Sequence, residues 1–158
     1  KYLKNYNTLE AYYGLEDKYD VDMILRYRGK HGYVTDAGYL PINQKFYLGG
    51  IRSLRGFKSS SVSPVDTKNI KIGGDQMYAQ SVEVSYGLFE TVKMRLNLFH
   101  DFGTIGNGGI TDISRNSVGT AIEWISPMGP LNLIFPFPLD DKPGDSTSSF
   151  EFSMGQRF

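Results

Sequence analysis

Cysteine is absent from the 158 residues, which removes disulfide frameworks and thiolate metal sites. Its absence fits an oxidising compartment, where a stray thiol is a liability. A surplus of either charge is missing too: 17 Lys and Arg balance 17 Asp and Glu. A nucleic-acid binder carries a basic excess on one face, so no nucleic-acid partner is expected. No apolar run approaches the roughly 18 residues that a membrane-spanning helix requires. No basic and apolar leader stands at Lys1, so any export signal is expected to have been removed already. Histidine is reduced to His31 and His100, with nothing nearby to complete a metal or nucleophile constellation. His100 adjoins Asp101, but adjacent strand residues point to opposite faces and cannot form a dyad. What the chain does have is 11 tyrosines, 10 phenylalanines and 18 glycines. Aromatics favour strands and glycine favours turns, so the mixture points to an all-β protein.

Apolar and polar residues alternate along six segments. Between Val21 and Arg28, Val21, Met23, Leu25 and Tyr27 share one face, with Arg26 and Arg28 on the other. From Gln80 to Tyr86, Val82, Val84 and Tyr86 oppose Ser81, Glu83 and Ser85. From Val92 to Gly103, Val92, Met94, Leu96, Leu98 and Phe102 oppose Lys93, Arg95, Asn97 and Asp101. From Val118 to Ile125, Val118, Ile122 and Trp124 oppose Gly119, Ala121 and Glu123. Leu131, Leu133, Phe135 and Phe137 make a further stripe. In the last segment Phe150, Phe152, Met154 and Phe158 alternate with Glu151, Ser153, Gly155 and Arg157. Tyr2 to Tyr13 reads as a seventh strand whose two faces cannot be told apart.

The connections alternate in length. Gly14 to Lys18, Leu88 to Thr91 and Ser126 to Gly129 are short. His31 to Gly74, Thr104 to Asn116 and Pro138 to Ser148 are longer and rich in Gly, Pro, Asp and Ser. Outer-membrane barrels have tight periplasmic turns on one side and extended external loops on the other. The apolar stripe would then face lipid and the charged face a wet lumen. A final strand ending on an aromatic, with aromatics two apart before it, looks like the assembly signal of such barrels. The expected fold is an antiparallel transmembrane β-barrel.

Several motifs, in order, carry a family resemblance. Phe46-Tyr-Leu-Gly49-Gly50 followed by Leu54-Arg55-Gly56-Phe57 resembles the glycine-rich loop with an R-G-F/Y core of BamA-type outer-membrane assembly factors. Phe99-His-Asp101-Phe-Gly103 fits the family's F-x-D-x-G pattern, and Trp124-Ile-Ser-Pro-Met-Gly-Pro130 looks like its W-x-S-P-x-G-P turn. Phe150 to Phe158 resembles the closing strand. The chain departs from the pattern at Leu54, where valine is usual, and at Phe158, where some members have tryptophan. The loop after Phe57 also matches nothing recognisable.

The resemblance implies a barrel of sixteen strands, of which these would be the last seven, with Tyr2 to Tyr13 as the tenth. Residues 1–158 would be the C-terminal half, including a loop, 31–74, that returns into the lumen. Upstream strands and periplasmic domains would lie outside the chain. Seven strands alone leave two unpaired edges, costly in lipid, and edge-to-edge self-association of such a piece is conceivable. In the family the loop arginine meets the aspartate of F-x-D-x-G, here Arg55 and Asp101. Glu83, on the inward face of the preceding strand, is the expected second acceptor, because a planar guanidinium can bridge two carboxylates where lysine cannot. The role is to lock the loop, not catalysis, and no cofactor or metal is expected. The family folds and inserts client barrels by thinning the bilayer and opening a seam between its first and last strands, working with lipoproteins, lipids and client proteins. The last strand would be one lip, able to pair with a client strand by β-augmentation. Gly155 would either weaken closure or make room for a bulky lumen neighbour. Two-partner-secretion pores and TamA-like translocation factors share these motifs and are the alternative function; a small adhesin-type barrel is the bland one.

Other features read as structural. Asp140, Asp141 and Asp145 fit no calcium-loop spacing and suit a solvated loop. Gly106-Asn-Gly-Gly109 is a turn signal without the strand-to-helix context of a phosphate cradle. No enzyme is indicated.

Overall fold

The computed structural model describes residues 1–36 and 38–155. Seven strands form one antiparallel sheet in chain order. They are β1 (Tyr2–Gly14), β2 (Met23–Asp36), β3 (Gln76–Phe89), β4 (Met94–Gly106), β5 (Ile113–Ser126), β6 (Gly129–Pro138) and β7 (Glu151–Met154). One helical turn, α1 (Glu16–Tyr19), sits between β1 and β2, and a short 3-10 turn (Ile42–Gln44) follows β2. Among the described residues no helix is long and apolar enough to cross a membrane. That says nothing of crossing by strands, which need about 9–11 residues each; β1 to β5 run to 13 or 14.

Antiparallel register fixes which side chains share a face, because the side-chain period is two. Arg26 lies opposite Glu83, Glu83 opposite Phe99, and Phe99 opposite Gly119. One face therefore collects Arg26, Ser81, Glu83, Asn97, Phe99, Asp101, Ala121 and Glu123, all buried. The connection between β2 and β3 folds back over this face. Its Phe46, Leu48, Leu54, Phe57 and Val62 pack with Val34, Met77, Ala79 and Ile105 of the strands, making the main apolar core. The other face presents Leu25, Val82, Leu98, Trp124, Phe135 and Phe152, all exposed. A contiguous exposed apolar sheet face of this kind needs an apolar surrounding.

The sheet also curves. Arg26 on β2 bonds Glu123 on β5 at 2.7 Å, although β3 and β4 lie between. Three strand spacings amount to about 14 Å on a flat sheet. Two side chains meet across that span more readily when the sheet is concave on the loop face.

Strand ends differ from the sequence expectation in a consistent direction. β2 continues through His31 to Asp36, so the long connection starts later than His31. Polar and glycine residues disguise this stretch, but Gly32 is where a Cβ would come 2.6 Å from the Phe46 ring. The strand thus makes room for the loop's aromatic. β4 and β5 likewise extend into the expected 104–116 loop, leaving 107–112 as the connection. The closing strand is shorter than expected: β7 covers Glu151–Met154, with Phe150 just before it. Gly155 follows β7 at φ +79°, and a Cβ there would meet nothing within 4 Å among the described residues. Phe158 lies outside the described residues. β1 is exposed on both faces throughout, which is why its pattern is unreadable.

Candidate functional site: a buried arginine holding the long loop

Two glycines shape the approach of Arg55. Gly49 (φ +115°) passes so close to the Lys58 carbonyl that a Cβ would sit 2.1 Å from its oxygen. Gly50 (φ +89°) donates its N–H to the Phe57 carbonyl at 2.7 Å, closing the loop around residues 51–56. Leu54 and Phe57 are wholly buried on either side of Arg55 and anchor the loop tip. Gly56 (φ +95°) places its backbone against Pro136 and Pro138 of β6.

Arg55 then spends nearly all its donors on the sheet. Its Nε donates to Asp101 Oδ2 at 2.8 Å and its Nη2 to Asp101 Oδ1 at 2.7 Å. Its backbone N–H also reaches Asp101 Oδ2, at 3.0 Å. Nη1 donates to Glu83 Oε2 at 2.8 Å, and Nη2 to Ser81 Oγ at 2.7 Å. Ser81 passes its own proton to Asp101 Oδ1 at 2.6 Å. The guanidinium carbon lies 3.5 Å from the centre of the Phe99 ring, a cation–π contact beneath the fork. Burial acts against the charge, but Asp101 and Glu83 outweigh it and hold the guanidinium pKa above its ordinary value. Bidentate, charge-assisted bonds are the strong ones, and here they are also enclosed.

The ion pairs continue beyond this centre. Glu83 Oε1 accepts from Arg26 Nη1 at 2.9 Å, and Arg26 reaches Glu123 at 2.7 and 3.2 Å. Asp101, Arg55, Glu83, Arg26 and Glu123 thus alternate in sign across four strands and the loop. The structure brings Arg55, Asp101 and Glu83 together, with Gly49, Gly50, Leu54, Gly56 and Phe57 around them. Phe99 and Gly103 share the face of Asp101; Gly103 has no side chain where Leu48 and Leu54 pack, at 3.0 and 3.5 Å from a notional Cβ. Phe152 and Met154 point to the opposite, exposed face, as does their neighbour Phe150, whose ring lies tilted against Phe135 with centroids 5.4 Å apart.

Sequence reasoning missed four members of this site. Ser81 lies two residues before Glu83 and so on its face, which is a legible signal. Gly119 is another: a Cβ there would come within 2.6 Å of both Phe99 and the Phe135 carbonyl, so it frees the space for the ring. The Arg26–Glu123 reach had no sequence signal, because it depends on sheet curvature. Among the described residues no cluster of His, Cys, Asp and Glu is arranged to hold a metal ion. The bonds described above tie the loop tip at Arg55 to β3 and β4.

Comparison with known proteins places this geometry. The model of the Omp85 superfamily domain matches residues 1–158. The outer membrane protein assembly factor BamA of Nitratidesulfovibrio vulgaris is 34% identical, over 99% of this chain and 20% of that protein. BamA of Neisseria meningitidis serogroup B is 29% identical, over 75% of this chain and 19% of its own length. The chain therefore spans about one fifth of the curated relatives it matches. The crystal structure of BamA from Haemophilus ducreyi lacking POTRA domains 1–3 superposes with a TM-score of 0.84 at 26% identity, covering 96% of this chain and 34% of that one. The open seven-stranded sheet matches part of that barrel, and with the family model spanning every residue, the protein belongs to the Omp85 superfamily of outer-membrane β-barrel proteins.

Proposed function

We propose that this chain is the C-terminal part of the barrel of an outer-membrane assembly factor, which folds and inserts client barrels through a seam at its last strand. In this reading the loop face lines the lumen, the exposed apolar face meets lipid, and β7 is one lip of the seam. The supporting observation is the Arg55 centre: a loop arginine fully bonded to Asp101, Glu83 and Ser81 fixes the long connection inside the barrel. The naming of both curated relatives as assembly factors supports the same function. The work is non-covalent: a held loop keeps the lumen filled while a strand edge offers backbone donors and acceptors to an incoming strand. Clients, accessory lipoproteins and lipids are the partners this reading implies.

The test is replacement of the protein in its own outer membrane by Arg55→Ala. Folded client barrels, read by their resistance to unfolding in cold detergent, should fall at least about tenfold, because the loss of about 3–5 kcal/mol on breaking a buried pair exceeds the roughly 1.4 kcal/mol that a tenfold change requires. Normal barrel assembly with a demonstrably displaced loop would sink the reading. Intact barrel assembly with one exported polypeptide lost would point instead to a secretion pore.

A further inference from the structure

Residues 56–58 of the arginine loop run antiparallel to 146–148 in the connection between β6 and β7. Ser148 donates its N–H to the Gly56 carbonyl at 2.8 Å, and Lys58 donates to the Ser146 carbonyl at 2.9 Å. Phe57 and Thr147 form an antiparallel bridge between these two bonds. Three residues after Ser148, Glu151 opens β7. The Gly56 carbonyl and the Lys58 N–H are thus engaged by residues leading directly into the edge strand.

Among the described residues β7 pairs with β6 over four residues, with one further bond from the Gly155 N–H to the Pro130 carbonyl at 2.8 Å, whereas β6 pairs with β5 over ten. A cleft of about 450 Å³ lies between the loop and the start of β7, lined in part by Gly50, Arg52, Lys58, Ser148, Glu151 and Phe152. A short strand with few ladder bonds sits at the low-stability end of a fold and takes its position from whatever holds its start.

We propose that Ser146, Thr147 and Ser148 are positioning residues, a clasp through which the seated arginine loop fixes the start of β7, so that lifting the loop releases the edge strand. The clasp rests on the reading of β7 as a seam lip, and it gives that lip a control: the Arg55 centre and the seam become one mechanical unit.

Hydrogen exchange of the intact protein in lipid nanodiscs tests it. Ser148→Pro, which deletes the donor to the Gly56 carbonyl, should speed exchange of the β7 amides about fivefold, the effect of one backbone hydrogen bond, with β3 to β5 unchanged. Ser148→Ala keeps the N–H and should leave β7 protected. Arg55→Ala should also speed β7, and adding Ser148→Pro to it should do little more, because both act by the same route. Unchanged β7 exchange in Ser148→Pro overturns the clasp, and that variant leaves every member of the ion network in place. Acceleration spread evenly over β3 to β7 also overturns it, as do effects that multiply in the double variant. If β7 responds as described while barrel assembly stays normal, the clasp stands and the seam reading alone falls.

Discussion

Arg55→Ala removes a guanidinium from between two carboxylates and leaves Asp101 and Glu83 buried with uncompensated charge. Breaking a buried pair from one side costs about 3–5 kcal/mol, and urea unfolding of the protein in lipid vesicles should register a loss of that order. Arg55→Lys should recover less than half, because a single ammonium cannot hold Asp101 in a fork and Glu83 together. Equal stability of wild type and Arg55→Ala would mean that the network is dispensable. Gly119→Ala probes the same site from behind. Its Cβ would meet the Phe135 carbonyl and the Phe99 ring, both at 2.6 Å. Backbone cannot yield as a side chain can, so we expect about 1–3 kcal/mol of destabilisation. Combining it with Phe99→Leu should relieve the part due to the ring and leave the part due to the carbonyl. A full rescue would show that the ring alone sets the need for glycine.

Among the elements, the connection between β6 and β7 carries its own electrostatic tie. Arg115 on β5 donates to Asp145 at 2.7 and 3.2 Å. Partial burial raises the Asp145 pKa, but the Arg115 hydrogen bond, the Lys142 backbone N–H and the positive charges of both residues prevail, so it lies below the ordinary carboxylate value of 3.8. A depressed carboxylate stabilises the fold fully above its unfolded-state pKa, and that contribution disappears as pH falls through the folded one. Proteolytic nicking of 139–150 should therefore be flat from neutral pH down to about 5 and rise only below about 4. Asp145→Asn should be nicked faster at neutral pH and lose that rise, converging with wild type at low pH. A rise centred near pH 6 would assign the control to some other group.

At this scale the limits of sequence reading have physical causes. β3 to β6 were legible because each has one face under the loop and one exposed apolar face, so two environments imprint two residue sets. β1 has neither contrast and left no pattern. The upper end of β2 was hidden because the loop's Phe46 occupies the space a side chain would take at Gly32. The Arg55 partners followed from parity along β3 and β4 once the motif resemblance paired loop with strand. The pairing of 56–58 with 146–148 left no trace, since its bonds are backbone groups whose side chains need no special chemistry.

For the molecule as a whole, the exposed apolar face makes a claim that the single tryptophan can answer. Trp124 lies on that face, in register with Met94 and Leu131 and close to the short turn between β5 and β6. Its fluorescence should be quenched by lipids brominated near the headgroup more strongly than by lipids brominated at the chain end, as aromatics at a bilayer interface are. No quenching by any brominated lipid would remove that face from the membrane. Leu98→Arg, nearer the middle of β4, should cost about 2–4 kcal/mol on the same footing, whereas an arginine at a loop position such as Lys68 should be neutral.

The alternation of charge from Asp101 to Glu123 has a bearing on how the protein reaches its own native state. Sliding any one strand by a single residue would exchange its two faces, turning Arg26, Glu83, Asp101 or Glu123 toward lipid and a hydrophobic residue toward its former partners. Lengthwise shifts of two residues keep the faces but separate each cation from its carboxylates. Only one alignment of β2, β3, β4 and β5 lets every charge find its opposite, and the loop can be seated only after that alignment exists. A misaligned sheet turns charged side chains toward lipid or leaves them without a partner under the loop, so the network favours the native register over its neighbours.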